Sequence, residues 1–263
     1  MNYLEAIILG IIQGFTEFLP ISSSGHLEIG KTIFGNQASA QESLFLTLTL
    51  HLATALSTIV FFRKDIFQLL QGVIKFEWNE STQFSFKIIL SMIPAVFVGL
   101  FLQDSIELLF LQNMVLVGAM LCITAVILFW ADKAKKSSKD VSVKNALILG
   151  LIQAIAILPG ISRSGSTIAA AVLLGIDREK AARFSFLMVL PLIFGSMSKT
   201  VIDSRQLNHD IDLLPLIVGF IFAFITGLVA CKWMIILVKN SKLKYFSFYC
   251  LIVGGIALIY GLF

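Results

Sequence analysis

Long apolar runs alternate with short polar connections along most of the chain. A membrane-spanning helix needs about 17 to 25 predominantly apolar residues, because the hydrocarbon core of a bilayer is about 30 Å thick. The pattern predicts six full transmembrane helices, at about 44–62, 85–102, 112–131, 184–201, 213–238 and 245–262. The expected fold class is therefore an all-α polytopic membrane protein, organised as a single integral membrane domain over residues 1–263.

Two further apolar regions, 4–34 and 145–176, are interrupted near the middle by Pro, Gly and Ser. The interruptions are "PISSSGH" at residues 20–26 and "PGISRSGST" at residues 159–167. The proline in each stretch ends a helix, and the Ser/Gly cluster after it can begin another. Non-helical backbone at membrane depth is tolerated only where it is buried in protein or lines a wet cavity. We therefore predict two re-entrant hairpins, each made of two half-helices joined by a polar turn.

The two interrupted regions are copies of one another. When the chain is shifted by 140 residues, ten of the twenty positions in 6–25 are identical to those in 146–165. The matches include Gln13 with Gln153 and the Ser-x-Ser-Gly of the two turns. Three predicted spans separate the copies, and an odd number gives the copies opposite orientations. Inverted-topology repeats place a binding site near the membrane interior, so we expect the two turns to be opposed tips that face one another.

The composition and the loop charges agree with this arrangement. The chain is 57% hydrophobic and 14% charged, whereas soluble domains carry about 25% charged residues. The net charge of +4 reflects basic loops rather than a nucleic-acid surface, since 132–144 has five lysines against two aspartates and 239–244 has three lysines and no acid. Basic loops stay on the cytoplasmic side. We predict that these loops and the 63–83 loop are cytoplasmic, and that the connections holding Asp104 and Asp210 are outside.

The second turn has the residue types of an anion site. A charged side chain such as Arg163 within a membrane segment costs about 2.5–3.5 kcal/mol on insertion scales, so it needs a structural partner or a function. Ser162, Ser164 and Thr167 add hydroxyls, and the half-helix that follows points its positive end at the turn. Guanidinium, hydroxyls and a helix N-terminus together favour phosphate. We predict that these four residues bind phosphate and that Arg163 also takes part in catalysis.

The first turn differs from the second at positions that can carry chemistry. Glu17 and His26 stand where the second copy has Ile157 and Ser166. Gln13 and Glu17 are four residues apart and share a helix face, and their oxygens suit Mg²⁺ or Ca²⁺. His26 can act as base, acid or nucleophile near neutral pH. We predict that this half supplies the reactive groups and a divalent cation while the other half holds phosphate.

Two other polar features lie outside the turns. His51 is in the middle of a predicted span, where it either lines the cavity or forms a hydrogen bond within the bundle. The stretch "DREKAAR" at 177–183 predicts a solvated cytoplasmic turn.

The motifs "QGFTEFLPISSSGH" and "PGISRSGST" resemble the two signatures of the undecaprenyl-diphosphate phosphatase family, also called bacitracin-resistance proteins. The resemblance covers essentially the whole chain, including "SMIPAVFVGL" at 91–100 and "FSFLMVLPLIFG" at 184–195. It implies an integral membrane enzyme that removes the terminal phosphate of undecaprenyl diphosphate. The product, undecaprenyl phosphate, is the lipid carrier for peptidoglycan precursors. The implied partners are a polyprenyl diphosphate and the bilayer, without nucleic acid. The implied location is the bacterial cytoplasmic membrane, with the site accessible from the extracytoplasmic side. A homodimer is possible, but the sequence does not determine the oligomeric state.

The resemblance also carries functional roles onto individual positions, namely Glu17, Ser23, His26, Ser162, Arg163 and Thr167. Gln13 stands where many relatives have glutamate, which removes one metal-facing carboxylate, and His51 stands where relatives often have glutamine. We expect Ser23 to attack phosphorus with His26 as its base, and Ser22 and Ser24 to help bind phosphate. Direct attack by His26 or by water stays open.

A polyprenyl-phosphate transporter or flippase is the alternative function. Inverted repeats and broken helices are transporter architecture, and Glu17 and His26 would then form a proton relay. The pattern favours an enzyme, because a transporter does not need a nucleophile, a base and an arginine gathered in one place.

Overall fold

A computed structural model of the chain describes residues 2–35, 40–75, 77–102, 105, 106, 108, 113–203 and 212–262. Within these ranges the chain forms eleven α-helices, which confirms the predicted all-α class. In chain order they are α1 (Tyr3–Phe18), α2 (Ser23–Ile33), α3 (Ala40–Phe61), α4 (Arg63–Ile74), α5 (Glu80–Phe101), α6 (Met114–Asp132), α7 (Val143–Ile155), α8 (Arg163–Leu173), α9 (Arg178–Asp203), α10 (Leu213–Lys239) and α11 (Leu243–Leu262).

Six of the described helices are long and apolar enough to cross a membrane, namely α3, α5, α6, α9, α10 and α11. They coincide with the six predicted spans, with ends shifted by a few residues. The most apolar stretch of α5 is only 11% buried inside the molecule, and its exposed face carries Phe86, Phe97 and Phe101. Such a face is stable in lipid hydrocarbon and not in water, so the protein is a multi-pass membrane protein.

The predicted 63–83 loop is wrong in its first half, because α4 occupies Arg63–Ile74. The chain turns after this helix, and the Asn79 side chain begins α5 by accepting a hydrogen bond from the backbone N–H of Thr82 at 2.9 Å. The helix was missed because its charged residues and its short apolar stripe do not form a continuous apolar run.

The predicted solvated turn at 177–183 is also wrong. Helix α9 begins at Arg178, which is 6% exposed. The Arg178 Nη2 group donates to the carbonyl oxygens of Ala131 and Asp132 at the end of α6 and to that of Ala134 just beyond it, at 3.1–3.3 Å. The last carbonyls of a helix lack partners within the helix, and a guanidinium has five N–H donors with which to satisfy them. This arginine is therefore a buried structural cap.

Two charges used to orient the spans, Asp104 and Asp210, lie outside the described residues. The orientation of the spans in the membrane therefore stays a prediction.

Each interrupted region forms two short helices separated by a turn at the predicted place. Both second helices begin with a serine cap. Ser22 Oγ accepts from the Gly25 N–H at 3.3 Å, and Ser162 Oγ accepts from the Gly165 N–H at 3.0 Å. In the first pair the helices fold back on one another, since a Cβ added at Gly30 would lie 2.9 Å from Leu9 Cδ2. That each pair enters and leaves on one side of the membrane stays a prediction.

The repeat extends to the helices that surround the turns. Helix α1 packs against α10, and its copy α7 packs against α5. Both contacts are close at repeat-related glycines. A Cβ added at Gly10 would lie 2.5 Å from the Gly219 carbonyl oxygen, and one at Gly150 would lie 2.4 Å from the Ser91 carbonyl oxygen. The two halves therefore share one packing scheme.

Helices α6 and α11 hold the two turns in equivalent ways. Thr124 Oγ1 on α6 donates to the Gly160 carbonyl at 3.3 Å, and Cys250 Sγ on α11 donates to the Pro20 carbonyl at 3.7 Å. Pro20 and Gly160 are related by the same 140-residue shift. Helix α8 lies deep in the interior, with eight of its eleven residues buried, so the residues at its start are held on a rigid element.

Candidate active site

The two polar turns meet inside the molecule. Arg163, at the start of α8, donates from Nη2 to Oε1 of Glu17, near the end of α1. Beside this ion pair, Ser164 Oγ donates to the carbonyl oxygen of Leu19 at 3.3 Å. The expectation that the two tips face one another is confirmed.

Close contact between the turns requires glycine. A Cβ added at Gly25 would lie 3.3 Å from Cα of Gly160, and one at Gly165 would lie 3.0 Å from Cβ of Pro20. Gly160 also has φ of +93°, which favours glycine. A Cβ at Gly25 or Gly165 would therefore be tighter against the other turn than most real Cβ contacts, and one at Gly160 would lie 2.5 Å from the Val117 carbonyl oxygen on α6.

Glu17 is the centre of the polar contacts. Its side chain is 5% exposed, and a buried carboxylate is costly unless it is paired and hydrogen-bonded. Besides Arg163, it receives hydrogen bonds at Oε2 from Gln13 Nε2 at 3.0 Å and from Ser23 Oγ at 2.8 Å. His51 Nε2 lies 3.9 Å from the same oxygen. Gln13 and Ser23 thus meet at Glu17, and Glu17 pairs with the arginine of the second turn.

The expected pair of Ser23 with His26 is not formed in the described part of the chain. Ser23 donates to Glu17 instead. His26 Nδ1 lies 2.8 Å from the Ser22 carbonyl oxygen, and Nε2 lies 2.8 Å from the Tyr249 hydroxyl. A carbonyl only accepts, so Nδ1 carries the hydrogen, and in the neutral imidazole Nε2 accepts from Tyr249. The group that hydrogen-bonds to Ser23 is therefore a carboxylate and not an imidazole.

Tyr249 is a contact of the site that the sequence analysis missed. It lies on α11, 223 residues from His26, in a continuous apolar run that carries no motif. Its ring stacks on the imidazole with centroids 5.5 Å apart, and the residue is 41% exposed. A tyrosine near the end of the chain gives no sequence signal of this contact, because only tertiary packing brings α11 to the first turn.

The backbone at Ser22 departs from that of its copy. Ser22 has φ of 71°, which is rare for a residue other than glycine, whereas Ser162 has φ of −72°. Such a conformation costs about 1–3 kcal/mol. It accompanies the hydrogen bond from His26 Nδ1 to the Ser22 carbonyl, a contact for which the second turn has no histidine. The strained backbone at Ser22 therefore occurs together with the hydrogen bond that orients the His26 ring.

The predicted phosphate-binding hydroxyls fall into two groups. In the second turn, Ser162, Ser164 and Thr167 are buried. Thr167 Oγ1 donates to the Arg163 carbonyl at 2.8 Å and lies 2.6 Å from Ser185 Oγ. These hydroxyls shape the turn that presents Arg163.

In the first turn, Ser22 is buried, and its Oγ lies 3.3 Å from Ser24 Oγ. Ser23 and Ser24 are only partly buried. Those two hydroxyls are more accessible to a ligand than the buried ones. Binding of phosphate by either group stays a prediction.

The family described as bacitracin resistance protein BacA matches residues 6–256 of the chain. This chain belongs to the BacA family. Its similar proteins include one named undecaprenyl-diphosphatase from Christiangramia forsetii, 58% identical over 260 residues, covering 99% of this chain and 98% of that protein. Others of the same name come from Bacteroides fragilis, 48% identical with 98% of each chain covered, and from Methanococcus vannielii, 41% identical with 98% of this chain and all of that protein covered.

This BacA family member has a partial set of metal donors at Glu17. Gln13 Oε1 is buried and has no hydrogen-bond partner among the described residues. The same part of the chain contains no group of three His, Cys, Asp or Glu side chains that could hold a metal. Mg²⁺ is commonly bound by one or two carboxylates together with waters and substrate phosphates. Glu17 and Gln13 fit a divalent cation of that kind, which stays a prediction.

A small cavity borders the ion pair on the side of α3 and α9. Its lining includes Thr54 and Thr58 as well as Phe18 and Phe186. The cavity next to the charged groups of this BacA site is therefore lined by both hydroxyl and aromatic side chains.

Proposed function

We propose that this BacA family member removes the terminal phosphate of undecaprenyl diphosphate and so recycles the lipid carrier for cell-wall synthesis. Relatives named undecaprenyl-diphosphatase match it over nearly its whole length. One observation of the structure carries the proposal. A buried carboxylate, Glu17, contacts at once a hydroxyl able to attack phosphorus, on Ser23, and a guanidinium able to bind phosphate, on Arg163.

Arg163 is proposed to bind the diphosphate. Its side chain is 23% exposed, so it reaches the opening of the site. A planar guanidinium matches phosphoryl oxygens with two parallel hydrogen bonds. The N-termini of α2 and α8 lie at the same junction, and helix N-termini favour anions. Arg163 would exchange Glu17 for the substrate, which frees the carboxylate at the moment the phosphate arrives.

Ser23 is proposed to be the nucleophile and Glu17 its base. As the bond from Ser23 Oγ to the terminal phosphorus forms, the hydroxyl proton passes to Glu17 Oε2, 2.8 Å away. The bond from that phosphorus to the bridging oxygen breaks, and this oxygen leaves with undecaprenyl phosphate. Water then hydrolyses the phosphoserine and releases inorganic phosphate. His26 is the second candidate for the base, and attack by His26 itself or by water is the alternative first step.

Glu17 and Gln13 would hold Mg²⁺ or Ca²⁺ beside the bound phosphates. A divalent cation there would neutralise the charge that develops on the phosphoryl oxygens.

The test is release of inorganic phosphate by purified protein in detergent, where no membrane gradient exists. We expect release from undecaprenyl diphosphate, and its loss in Glu17→Gln and Ser23→Ala. Ser198→Ala is a matched control, because Ser198 is exposed and its hydroxyl donates only within α9. A protein that releases no phosphate in detergent, but moves the lipid in vesicles with a gradient, would support the transporter alternative.

We further propose that the protein lies in the bacterial cytoplasmic membrane with the site open to the extracytoplasmic side. The lysine-rich 132–144 loop would then be inside. Single cysteines in a Cys-free background, probed with an impermeant thiol reagent on intact cells, test this. Labelling is expected at 39–42 and 205–209, and protection at 135–139 and 240–242. Protection at 39–42 together with labelling at 205–209 would mean that the first region crosses the membrane an odd number of times or that 44–62 is not a span.

A homodimer stays a hypothesis, which the mass of the detergent-solubilised protein tests.

A further inference from the structure

Helix α4 belongs neither to the proposed site nor to the membrane spans. It has 12 residues and is therefore about 18 Å long. The hydrocarbon core of a bilayer is about 30 Å thick, so α4 is too short to cross it. Because α4 joins the end of the span α3 to the start of the span α5, it lies near one surface of the membrane.

The side chains of α4 form separate stripes along the helix, because residues three and four apart share a face. The stripe with Leu69 and Gly72 packs against the protein. A second stripe is apolar but exposed, with Phe67 at 61%, Leu70 at 56% and Ile74 at 71% exposure. A third stripe is polar and exposed, and it consists of Lys64, Gln68, Gln71 and the C-terminal cap Lys75. The helix therefore has an apolar face that the protein itself does not cover.

Contacts near both ends of α4 fix the direction of these stripes. Near its C-terminus, the Gly72 carbonyl accepts hydrogen bonds from Asn79 Nδ2 and Thr82 Oγ1, both at 3.2 Å. Near its N-terminus, Asp65 Oδ1 lies 2.6 Å from Nε of Arg183 on α9. The Arg183 guanidinium in turn lies over the Phe84 ring, 5.2 Å from its centroid. Thr82 and Phe84 are both near the start of α5, so α4 is held at the level where that span begins.

The membrane surface lies at the same level. Trp78, in the connection between α4 and α5, is 67% exposed. Its ring contacts Phe86 with centroids 5.7 Å apart, and Phe86 belongs to the lipid-facing side of α5. Tryptophan is enriched where the headgroups meet the hydrocarbon. The chain therefore leads from the exposed apolar stripe of α4, through an interfacial residue, to a surface that already faces lipid.

We propose that α4 is an interfacial helix that binds the lipid surface, with Phe67, Leu70 and Ile74 inserted at the boundary between headgroups and acyl chains. Helices of this kind bury the apolar face about 5–10 Å into that boundary. Lys64 and Lys75 form no ion pair among the described residues. Their long apolar stems let the ammonium groups reach lipid phosphates while the helix lies in the surface.

The inference is independent of the proposed function, and its test needs neither substrate nor turnover. Single cysteines are placed in a Cys-free background and labelled with a nitroxide, and the full chain is reconstituted in vesicles of phosphatidylcholine and phosphatidylglycerol. Electron paramagnetic resonance then measures collisions with oxygen, which concentrates in hydrocarbon, and with a water-soluble nickel chelate. The test variants are Phe67→Cys and Leu70→Cys. The matched controls are Gln68→Cys and Gln71→Cys on the polar stripe of the same helix, and Ile93→Cys on the exposed side of α5 is the reference for a deep position.

We expect the labels at 67 and 70 to be accessible to oxygen and protected from the chelate, at a depth of about 5–10 Å below the lipid phosphates. The labels at 68 and 71 should collide with the chelate, and the label at 93 should lie deeper than any of them.

Three results would overturn the inference. Chelate access at 67 and 70 equal to that at 68 and 71 would place the helix in water. Low access of both reagents at 67 and 70 would mean that protein, such as a second copy of this chain, covers the apolar stripe. A depth at 67 and 70 equal to that at 93 would mean that the helix enters the hydrocarbon and does not lie at its surface.

Discussion

The ion pair between Glu17 and Arg163 joins the two halves of the repeat, and a double-mutant cycle measures what it contributes. The cycle compares Arg163→Met, Glu17→Gln and the double variant. All three should lose phosphatase activity, because both residues belong to the proposed reaction. The discriminating quantity is therefore the free energy of unfolding, followed by titration of mixed detergent micelles with dodecyl sulfate.

The structure sets the expected magnitudes. Removing Arg163 leaves a carboxylate that is 5% exposed with hydrogen bonds from Gln13 and Ser23 and with His51 Nε2 3.9 Å away. Leaving a buried charge without its partner costs about 3–5 kcal/mol. Removing the Glu17 charge costs less, about 1–3 kcal/mol, because the Arg163 side chain is 23% exposed and water can reach it. The double variant has neither charge, so it should be more stable than the sum of the single effects predicts, by about 1–3 kcal/mol.

The exposed pair of Lys239 with Glu179 provides the control. Its nitrogen–oxygen distance is 2.8 Å, but the two side chains are 64% and 54% exposed. Exposed ion pairs contribute little, so the cycle of Lys239→Met and Glu179→Gln should show no measurable coupling. Additivity within about 0.5 kcal/mol for Glu17 and Arg163 would mean that the two turns do not meet as described.

Three further predictions test the site and the packing around it. Chelation by EDTA should abolish phosphate release and Mg²⁺ or Ca²⁺ should restore it, so full activity in EDTA would remove the cation from the mechanism. Tyr249→Phe keeps the ring on His26 but removes one hydrogen bond, and kcat should fall about three- to tenfold; an unchanged kcat would make that contact incidental. Gly150→Ala places a Cβ 2.4 Å from the Ser91 carbonyl and should destabilise the protein by about 1–3 kcal/mol. Gly255→Ala should leave the stability unchanged, because there is open space around Gly255. Equal destabilisation by both variants in a thermal unfolding assay would contradict the close packing of α7 on α5.

The sequence predicted the spans well because that signal is local. Whether a segment crosses a bilayer depends on the length and polarity of a single run, and the six predicted runs became the six long apolar helices. The two broken regions were predictable for the same reason, since Pro, Gly and Ser act on the backbone of their own turn. The local rule failed where charges fell inside a helix, as in α4 and at Arg178, because a charged stretch was taken as a connection.

The internal repeat also made one tertiary contact predictable from the sequence, namely that the two turns meet. Ten identities at a fixed shift of 140 residues imply two equivalent units, and the predicted inversion of these units led us to expect that their turns meet. The meeting of Glu17, Ser23 and Arg163 was therefore predictable, whereas their chemical roles stay a prediction.

The pairing within that set was decided by the tertiary structure alone. Glu17 and Arg163 are 146 residues apart and His26 and Tyr249 are 223 apart, so their contacts depend on how whole helices pack. The prediction that Ser23 pairs with His26 took into account only residues of the same turn. In the folded chain the carboxylate of Glu17 accepts the hydrogen bond from Ser23, and the hydroxyl of Tyr249 on α11 contacts His26. The length and polarity of each segment determine whether it enters the membrane. The hydrogen-bond partners at the site, in contrast, depend on which side chains the packed helices bring within reach of one another.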